Sequence, residues 1–375
     1  MTEVELKNIQ ILSEKVKNIL IDKGIPEENI NILERRKHDW YEKKDDVTVK
    51  DNFGNICETY RINAEINDAD SKNTLVFNVT ESAGSLKFTA SDNFSVSSLA
   101  EYLEKLQNVY DDSGVTLFYR GHSSIDYKTI PSLYREVPYM SNHRFVEKES
   151  VLFRQAVLEC SSDFPTSMTT FDMLVKMQHY DLPTRLLDLT KNSLIALYFA
   201  ARSNIGKKDG EVLIYKIPKK EICYFNGDKV CILSNIAKQK DDTFQIPDKL
   251  CETDEEIKIF NRTDEIECLL HDIRNEMTHF YPIIRKRDMQ SVICVLPRKN
   301  SPRIIAQDGA FFLYGIKGKK TECAINKYVP SRIIIKAEKK QQILNELKRI
   351  SIDDAHIYQT LENRLSQIKN NFADF

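Results

Sequence analysis

Two stretches concentrate the residues able to do chemistry, FYRGHSS (118–124) and QHYDLPTRLLDLTKNSLIALYFA (178–200). In the first, a strand-like run delivers Arg120 and breaks at once on Gly121. An arginine at a strand end suits bidentate capture of a phosphate or carboxylate. The glycine beside it allows close backbone approach or a positive φ. His122, Ser123 and Ser124 add donors. The competing reading of Arg120 is a pairing with an internal carboxylate.

In the second stretch His179-Tyr180 ends a helix and Pro183 stiffens the turn that follows. Arg185 and Asp188 bracket an apolar Leu186-Leu187 pair, so a polar loop is anchored by buried residues. Thr190 or Asn192 can cap the next helix. That helix, SLIALYFAARS, is apolar on nearly every face and reads as buried. A buried helix whose N-terminus meets charged residues offers an anion site. His179 suits the role of general base or polar clamp near neutral pH. The plainer reading makes Arg185–Asp188 a structural ion pair and His179 a satisfied helix end.

The elements that must position these residues follow from periodicity. Residues 3–23 carry apolar positions near 3.6 spacing, ended at Gly24. TYRINAEI (59–66), TLVFNVT (74–80) and SLKFTAS (85–91) alternate apolar and polar residues between turn-forming joints, a hairpin pattern. SVSSLAEYLEKLQNVY (95–110) reads as a helix capped by Ser95 or Ser97. Strands are expected at 115–121, 211–217, 291–296 and 332–336. Helices are expected at 144–160, 170–180, 192–203, 264–277, 338–350 and 356–371. Strands and helices interleave without strict alternation, so the fold class is α+β. A small helix-plus-antiparallel-hairpin module is expected at 1–93. A mixed α/β domain with a central, mostly antiparallel sheet is expected at 94–371, with a charged insertion at about 218–285.

Composition excludes several classes. Only 11 of the 375 residues are glycine, and no G-x-G-x-x-G or phosphate loop can be drawn through them. The 54 basic and 56 acidic side chains leave a net charge of −2, with no global pull toward nucleic acid or anionic membrane. The eight cysteines form no C-x-x-C and no H-E-x-x-H occurs, so no metal site is expected. No apolar run reaches the ~20 residues of a membrane span, and the start MTEVELKNIQ lacks a signal-peptide layout. The cytoplasm is the expected location.

The chain resembles the FRG domain family. The (F/Y)-R-G motif is here Tyr119-Arg120-Gly121. The family's second element, QHYGLPTRLLDWT followed by ALYFA, is here QHYDLPTRLLDLT with ALYFA, Asp181 replacing a glycine and Leu189 a tryptophan. A third element, R-x-x-x-Q-x-G-x-F, matches Arg303, Gln307, Gly309 and Phe311. The motif order is similar to that of arginine-type ADP-ribosyltransferases. There an Arg-Gly pair on a core strand holds the NAD phosphates or ribose, and a final strand supplies a catalytic glutamate or glutamine. By that likeness Arg120, Gly121, His122, Arg185 and Thr190 would hold NAD or another nucleotide. Gln307, His179 and Asp188 would carry ADP-ribosyl transfer or NAD hydrolysis, in a toxin or phage-defence setting. No glutamate lies between Arg303 and Gly315. A neutral Gln307 can orient a ribose hydroxyl but cannot offset developing positive charge as a carboxylate does. Two alternatives stand beside this: a non-catalytic module binding a nucleotide or peptide, and a nucleic-acid-directed toxin using the basic runs at 285–287 and 297–299. The near-neutral net charge disfavours the second. Residues 1–93 are the expected contact for a protein partner.

Overall fold

The computed structural model describes Glu14, Lys17, the strands between 30 and 91 by their backbone, and residues 95–358 apart from 108, 110–113, 139 and 329. The helix expected at 3–23 lies outside the described residues but for Glu14 and Lys17. So does the expected C-terminal helix beyond 358.

In the N-terminal part, β1 (Ile30–Leu33), β2 (Val49–Lys50), β3 (Ile56–Asp68), β4 (Ser71–Ser82) and β5 (Ser85–Ser91) form one antiparallel sheet in the order β1-β3-β4-β5, with β2 also on β3. Its register sets Ile62 against Phe77 and Tyr60 against Val79. Apolar positions of the alternating pattern are therefore register partners along these strands.

The remaining strands are β6 (Ser95–Val96), β7 (Val115–His122), β8 (Glu136–Val137), β9 (Met140–Arg144), β10 (Leu186–Thr190), β11 (Gly210–Pro218), β12 (Ile222–Tyr224), β13 (Val292–Leu296), β14 (Gly309–Tyr314) and β15 (Ser331–Ile335). Strands β8 and β9 pair with each other. The other eight form one sheet in the order β12-β13-β14-β10-β7-β11-β15-β6. It is antiparallel except for β12 on β13 and β15 on β6, as the sequence pattern leads one to expect.

Side chains alternate across this sheet. On one face Leu186, Ile293, Val295, Phe311 and Leu313 pack under the helices Glu149–Glu159, Thr170–His179, Asp228–Asn235 and Asp254–Phe260 and Asp264–Glu276. Farther along the same face Tyr119, Val212, Ile214, Ile333 and Ile335 lie under the helices Ser193–Ala201 and Lys340–Arg349. The opposite face carries Phe118, Leu187, Leu189, Leu213, Tyr215 and Phe312, with Ala324 and Tyr328 of the connection to β15 laid over them.

Four local differences from the sequence reading have physical reasons. The stretch bracketed by Arg185 and Asp188, expected as a polar loop, is the central strand β10, because Leu186 to Thr190 pair along their length with Leu313 to Gly309 of β14. The stretch 95–110 opens as β6, because Ser95 and Val96 pair in parallel with Ile334 and Ile335. The helix Leu99–Gln107 then starts behind Ser98, whose Oγ accepts the Glu101 N–H at 3.3 Å. The stretch 144–160 is helical from Glu149, after a 3-10 turn at Phe145–Lys148. The charged segment 218–285 contributes Val230, Ile232, Leu233, Ile236, Phe260, Ile266, Leu269, Leu270 and Ile273 to the larger core cluster. Each fully buried side chain of this size is worth ~1.5–3 kcal/mol. The charges of the segment occupy the outer faces of its amphipathic helices, so overall polarity concealed a core-forming pattern.

Gly121 and Gly210 sit beneath the helix Ser193–Ala201. A Cβ on Gly121 would lie 1.9 Å from the Ala196 carbonyl oxygen, and one on Gly210 would lie 2.3 Å from that of Ala200. The missing side chains let the buried helix approach the sheet at backbone distance.

Candidate functional site between the central strands

Strands β7 and β10 share a single register pair, Thr190 with Tyr119, and the Arg120 side chain bridges them next to that pair. Its Nη1 donates to the Asp188 carbonyl at 2.6 Å and lies 3.7 Å from the Asp188 carboxylate. Its Nε donates to His122 Nε2 at 2.9 Å. The Arg120 side chain is 15% exposed and that of Asp188 51%. The arginine is therefore held while the carboxylate stays open to water.

His122 is committed at both nitrogens. Its Nδ1 lies 3.1 Å from Glu211 Oε1, and the other Glu211 oxygen accepts from Arg332 Nη1. Sheet register makes this arrangement. Arg120, Leu213 and Arg332 stand in one row across β7, β11 and β15, and His122 and Glu211 in the next. Burial pulls the His122 pKa down to about 4; the bond to Glu211 opposes the shift, and Arg120 adds to it. The imidazole is thus neutral near pH 7, its Nδ1–H given to Glu211 and its Nε2 lone pair to Arg120. His122 positions Arg120 and has no ring nitrogen left for a ligand.

The second motif builds the other wall. Gln178 Nε2 donates to Asp188 Oδ2 at 3.1 Å. The Thr184 hydroxyl donates to Gln178 Oε1 at 2.7 Å, and the Leu186 N–H to Thr184 Oγ1 at 3.2 Å. These bonds need the chain to reverse tightly after the helix Thr170–His179. Leu182 N–H returns to the Met177 carbonyl at 3.0 Å and Asp181 N–H to that of Gln178 at 3.1 Å. This is the Schellman helix ending, whose turning residue is left-handed. Asp181 has φ +61°. The glycine of the family pattern at this position is thereby explained by backbone geometry.

The other expected site residues are distributed as follows. Arg185 is fully buried. Its Nε donates to Glu149 Oε1 at 2.8 Å, its Nη2 to Glu149 Oε2 and its Nη1 to the Tyr314 carbonyl at 3.0 Å. Its partner is Glu149 and not Asp188, and it ties the helix Glu149–Glu159 to the sheet, away from solvent. Thr190 donates to the Gln307 carbonyl at 2.6 Å and accepts the Asn192 N–H at 2.9 Å. Asn192 caps the buried helix through the N–H groups of Leu194 and Ile195. Gln307 thus neighbours Asp188 through Thr190, but its Nε2 donates to the Ile357 carbonyl at 3.4 Å. His179 has its Nδ1 3.3 Å from Ser301 Oγ and its carbonyl on Arg303 Nη1 at 3.0 Å. Burial, then Arg303, lowers its pKa. Gly121 faces the buried helix. Among the expected site residues, the Arg120 side chain meets those of His122 at 2.9 Å and Asp188 at 3.7 Å.

Sequence reasoning missed Gln178, Glu211, Arg332 and Arg135. The signal for Glu211 and Arg332 was available: a charged residue at one end of an otherwise apolar strand, EVLIYKI and RIIIK, must find a partner when that strand is buried. Arg135 follows the 3-10 turn Ser132–Tyr134, and no local pattern marks it. Burial first, then the nearby Arg120 charge, lowers its pKa to about 10, against a smaller opposing effect of Asp188.

Among the described residues no group of three or more His, Cys, Asp or Glu is placed to hold a metal ion, and no helix is long and apolar enough to cross a membrane. Comparison with curated proteins finds no match, and comparison with solved structures finds none either. Residues 115–209 match the FRG domain family. That stretch opens on β7, which carries Arg120 and His122, and contains the loop with Arg135, the Gln178–Thr184–Asp188 chain and the buried helix. The chain is an FRG domain-containing protein.

Proposed function

We propose that the FRG domain binds a nucleotide at Arg120 and acts on the glycosidic bond of NAD. The observation that carries this reading is the Arg120–Asp188 pair, a fixed guanidinium beside a half-exposed carboxylate. Arg120 keeps Nη2 for a phosphate oxygen. Asp188 supplies the negative charge that an oxocarbenium-like ribosyl centre requires and that Gln307 cannot offer. In this reaction the bond between ribose C1 and nicotinamide breaks, and nicotinamide leaves with the bonding pair. Water or an acceptor hydroxyl, amine or guanidine then bonds to C1 and releases a proton. NAD consumption of this kind would fit a toxin or defence role.

A second reading, a nucleotide-binding module that breaks no bond, is favoured by His179 and Gln307 both being spent on protein partners. One assay separates the two. The protein is incubated with NAD and released nicotinamide is quantified, with Asp188→Asn and Arg120→Ala beside the wild type. The catalytic reading expects Asp188→Asn to lose about a hundredfold or more in kcat, the scale of a lost electrostatic stabiliser, with NAD binding retained. NAD that raises Tm without yielding nicotinamide leaves the binding module. NAD that does neither removes both readings.

A further inference from the structure

We infer that Arg135 and Arg120 together form a site for a diphosphate group; this rests on the nucleotide reading above and narrows it to the part of the ligand that is held. Both guanidinium groups are fixed by neutral acceptors. Arg120 is held by the His122 imidazole and the Asp188 carbonyl. Arg135 gives Nε and Nη2 to the Ile130 carbonyl at 3.1 and 2.9 Å. Carbonyls and a neutral imidazole set direction without cancelling charge. Arg120 Nη2 and Arg135 Nη1 bond no described residue, so each arginine keeps one outward NH₂ group.

The charges around the pair do not balance. Glu211 is matched by Arg332. Asp188 lies beside Arg120 and accepts from Gln178, to which the Thr184 hydroxyl donates. The Thr184 carbonyl accepts the Leu133 N–H at 3.3 Å, which ties the turn ending on Arg135 to the same wall. There the Asp188 charge acts on both guanidinium groups. Two guanidinium groups against one carboxylate leave an excess positive charge that an anion would offset. On the inner side Tyr215 is buried, and its hydroxyl has no hydrogen-bond partner among the described residues. It lies within the field of Arg332, Arg120 and Glu211. At the outer edge Tyr127 stands edge-on to His122, ring centres 6.1 Å apart, and is half-exposed. Two fixed donors, unmatched positive charge and an aromatic face describe a receptor for a diphosphate ester better than for a single carboxylate.

The test is calorimetric titration of the full chain with inorganic diphosphate, ADP and inorganic phosphate, in wild type and in Arg120→Ala, Arg135→Ala, Arg135→Gln and Asp188→Asn. Arg135→Gln keeps a side-chain NH₂ to donate to the Ile130 carbonyl and removes the charge, and its Tm without ligand reports whether the loop is intact. The expected result is that diphosphate and ADP bind tighter than phosphate. Each arginine substitution should weaken them about tenfold or more, and Asp188→Asn should leave binding equal or tighter. ADP binding lost in Arg120→Ala but unchanged in both Arg135 variants overturns the two-arginine site and leaves the nucleotide reading standing. Diphosphate binding that needs both arginines, with no binding of ADP or NAD, supports the site and removes the nucleotide reading. Absence of binding by all three ligands overturns both.

Discussion

His122 Nε2 accepts the Nε–H of Arg120 at 2.9 Å while its Nδ1 faces Glu211 at 3.1 Å. A residue that reads in the sequence as a ligand donor beside the arginine is therefore the part that aims it. Arg120 is presented by a histidine that must stay neutral, and that requirement gives the site a definite response to acid.

Burial holds the His122 pKa at about 4, below the ~6.5 of an unfolded histidine. Between those values unfolding takes up a proton. The stabilisation is complete above pH 6.5 and is lost as the pH falls toward 4, on the order of 3 kcal/mol in all. Urea unfolding at several pH values across this window should show the loss in wild type and a flatter profile in His122→Gln. Parallel losses in the two proteins would assign the effect to other groups.

Gly121→Ala should destabilise by ~3 kcal/mol or more, because its Cβ would overlap the Ala196 carbonyl in the backbone of the buried helix. Gly309→Ala should be nearly neutral. A Cβ there meets nothing closer than 3.7 Å, and Gly309 does not have a left-handed φ. Thermal unfolding of both variants tests this, and equal effects would contradict the packing argument.

Arg185→Ala should cost ~3–5 kcal/mol by leaving Glu149 buried opposite a void. Lys320, 3.4 Å from Glu149 and also bonded to Asp241, supplies only part of the compensation. Arg185→Lys should rescue little, since an ammonium cannot reproduce the fork that reaches both Glu149 oxygens and the Tyr314 carbonyl. Arg120→Ala, at a partly open position, should cost much less stability. Chemical denaturation of the three proteins reports the ranking. An Arg120→Ala loss as large as that of Arg185→Ala would mean that Arg120 is structural too.

Asp181→Gly should stabilise by up to ~1 kcal/mol, because the left-handed conformation that a non-glycine residue resists is free for glycine. The competing entropy of the more flexible unfolded chain reduces that gain. A clear fall in Tm would show that the Asp181 side chain contributes something its backbone conformation does not account for.

Local pattern made much of this protein legible. Alternation located the N-terminal strands and apolar runs located β7, β11, β13 and β15, while β10 and β14 lie outside the expected strands. The all-round apolar SLIALYFAA announced a buried helix. The Arg120 and Asp188 motifs, 68 residues apart, are both recognisable in the sequence as chemistry-bearing. Such features depend on a few neighbouring residues: a period, a cap, a turn. Partner choice does not. Spacing along the chain offers Arg185 the carboxylate of Asp188, three positions away, yet it pairs with Glu149, 36 positions away. Glu211 and Arg332 meet across 121 positions because β11 and β15 happen to be neighbours in that register. The same applies to 218–285, whose helices present polar outer faces and reveal their buried stripe only once a sheet is there to cover. The sequence by itself determined most of the longer helices, the N-terminal strands, four of the central ones and which side chains could react. The tertiary structure decided which of two similar arginines is sealed in the core and which stays beside an open carboxylate, because strand order and register, not spacing along the chain, set which charges meet.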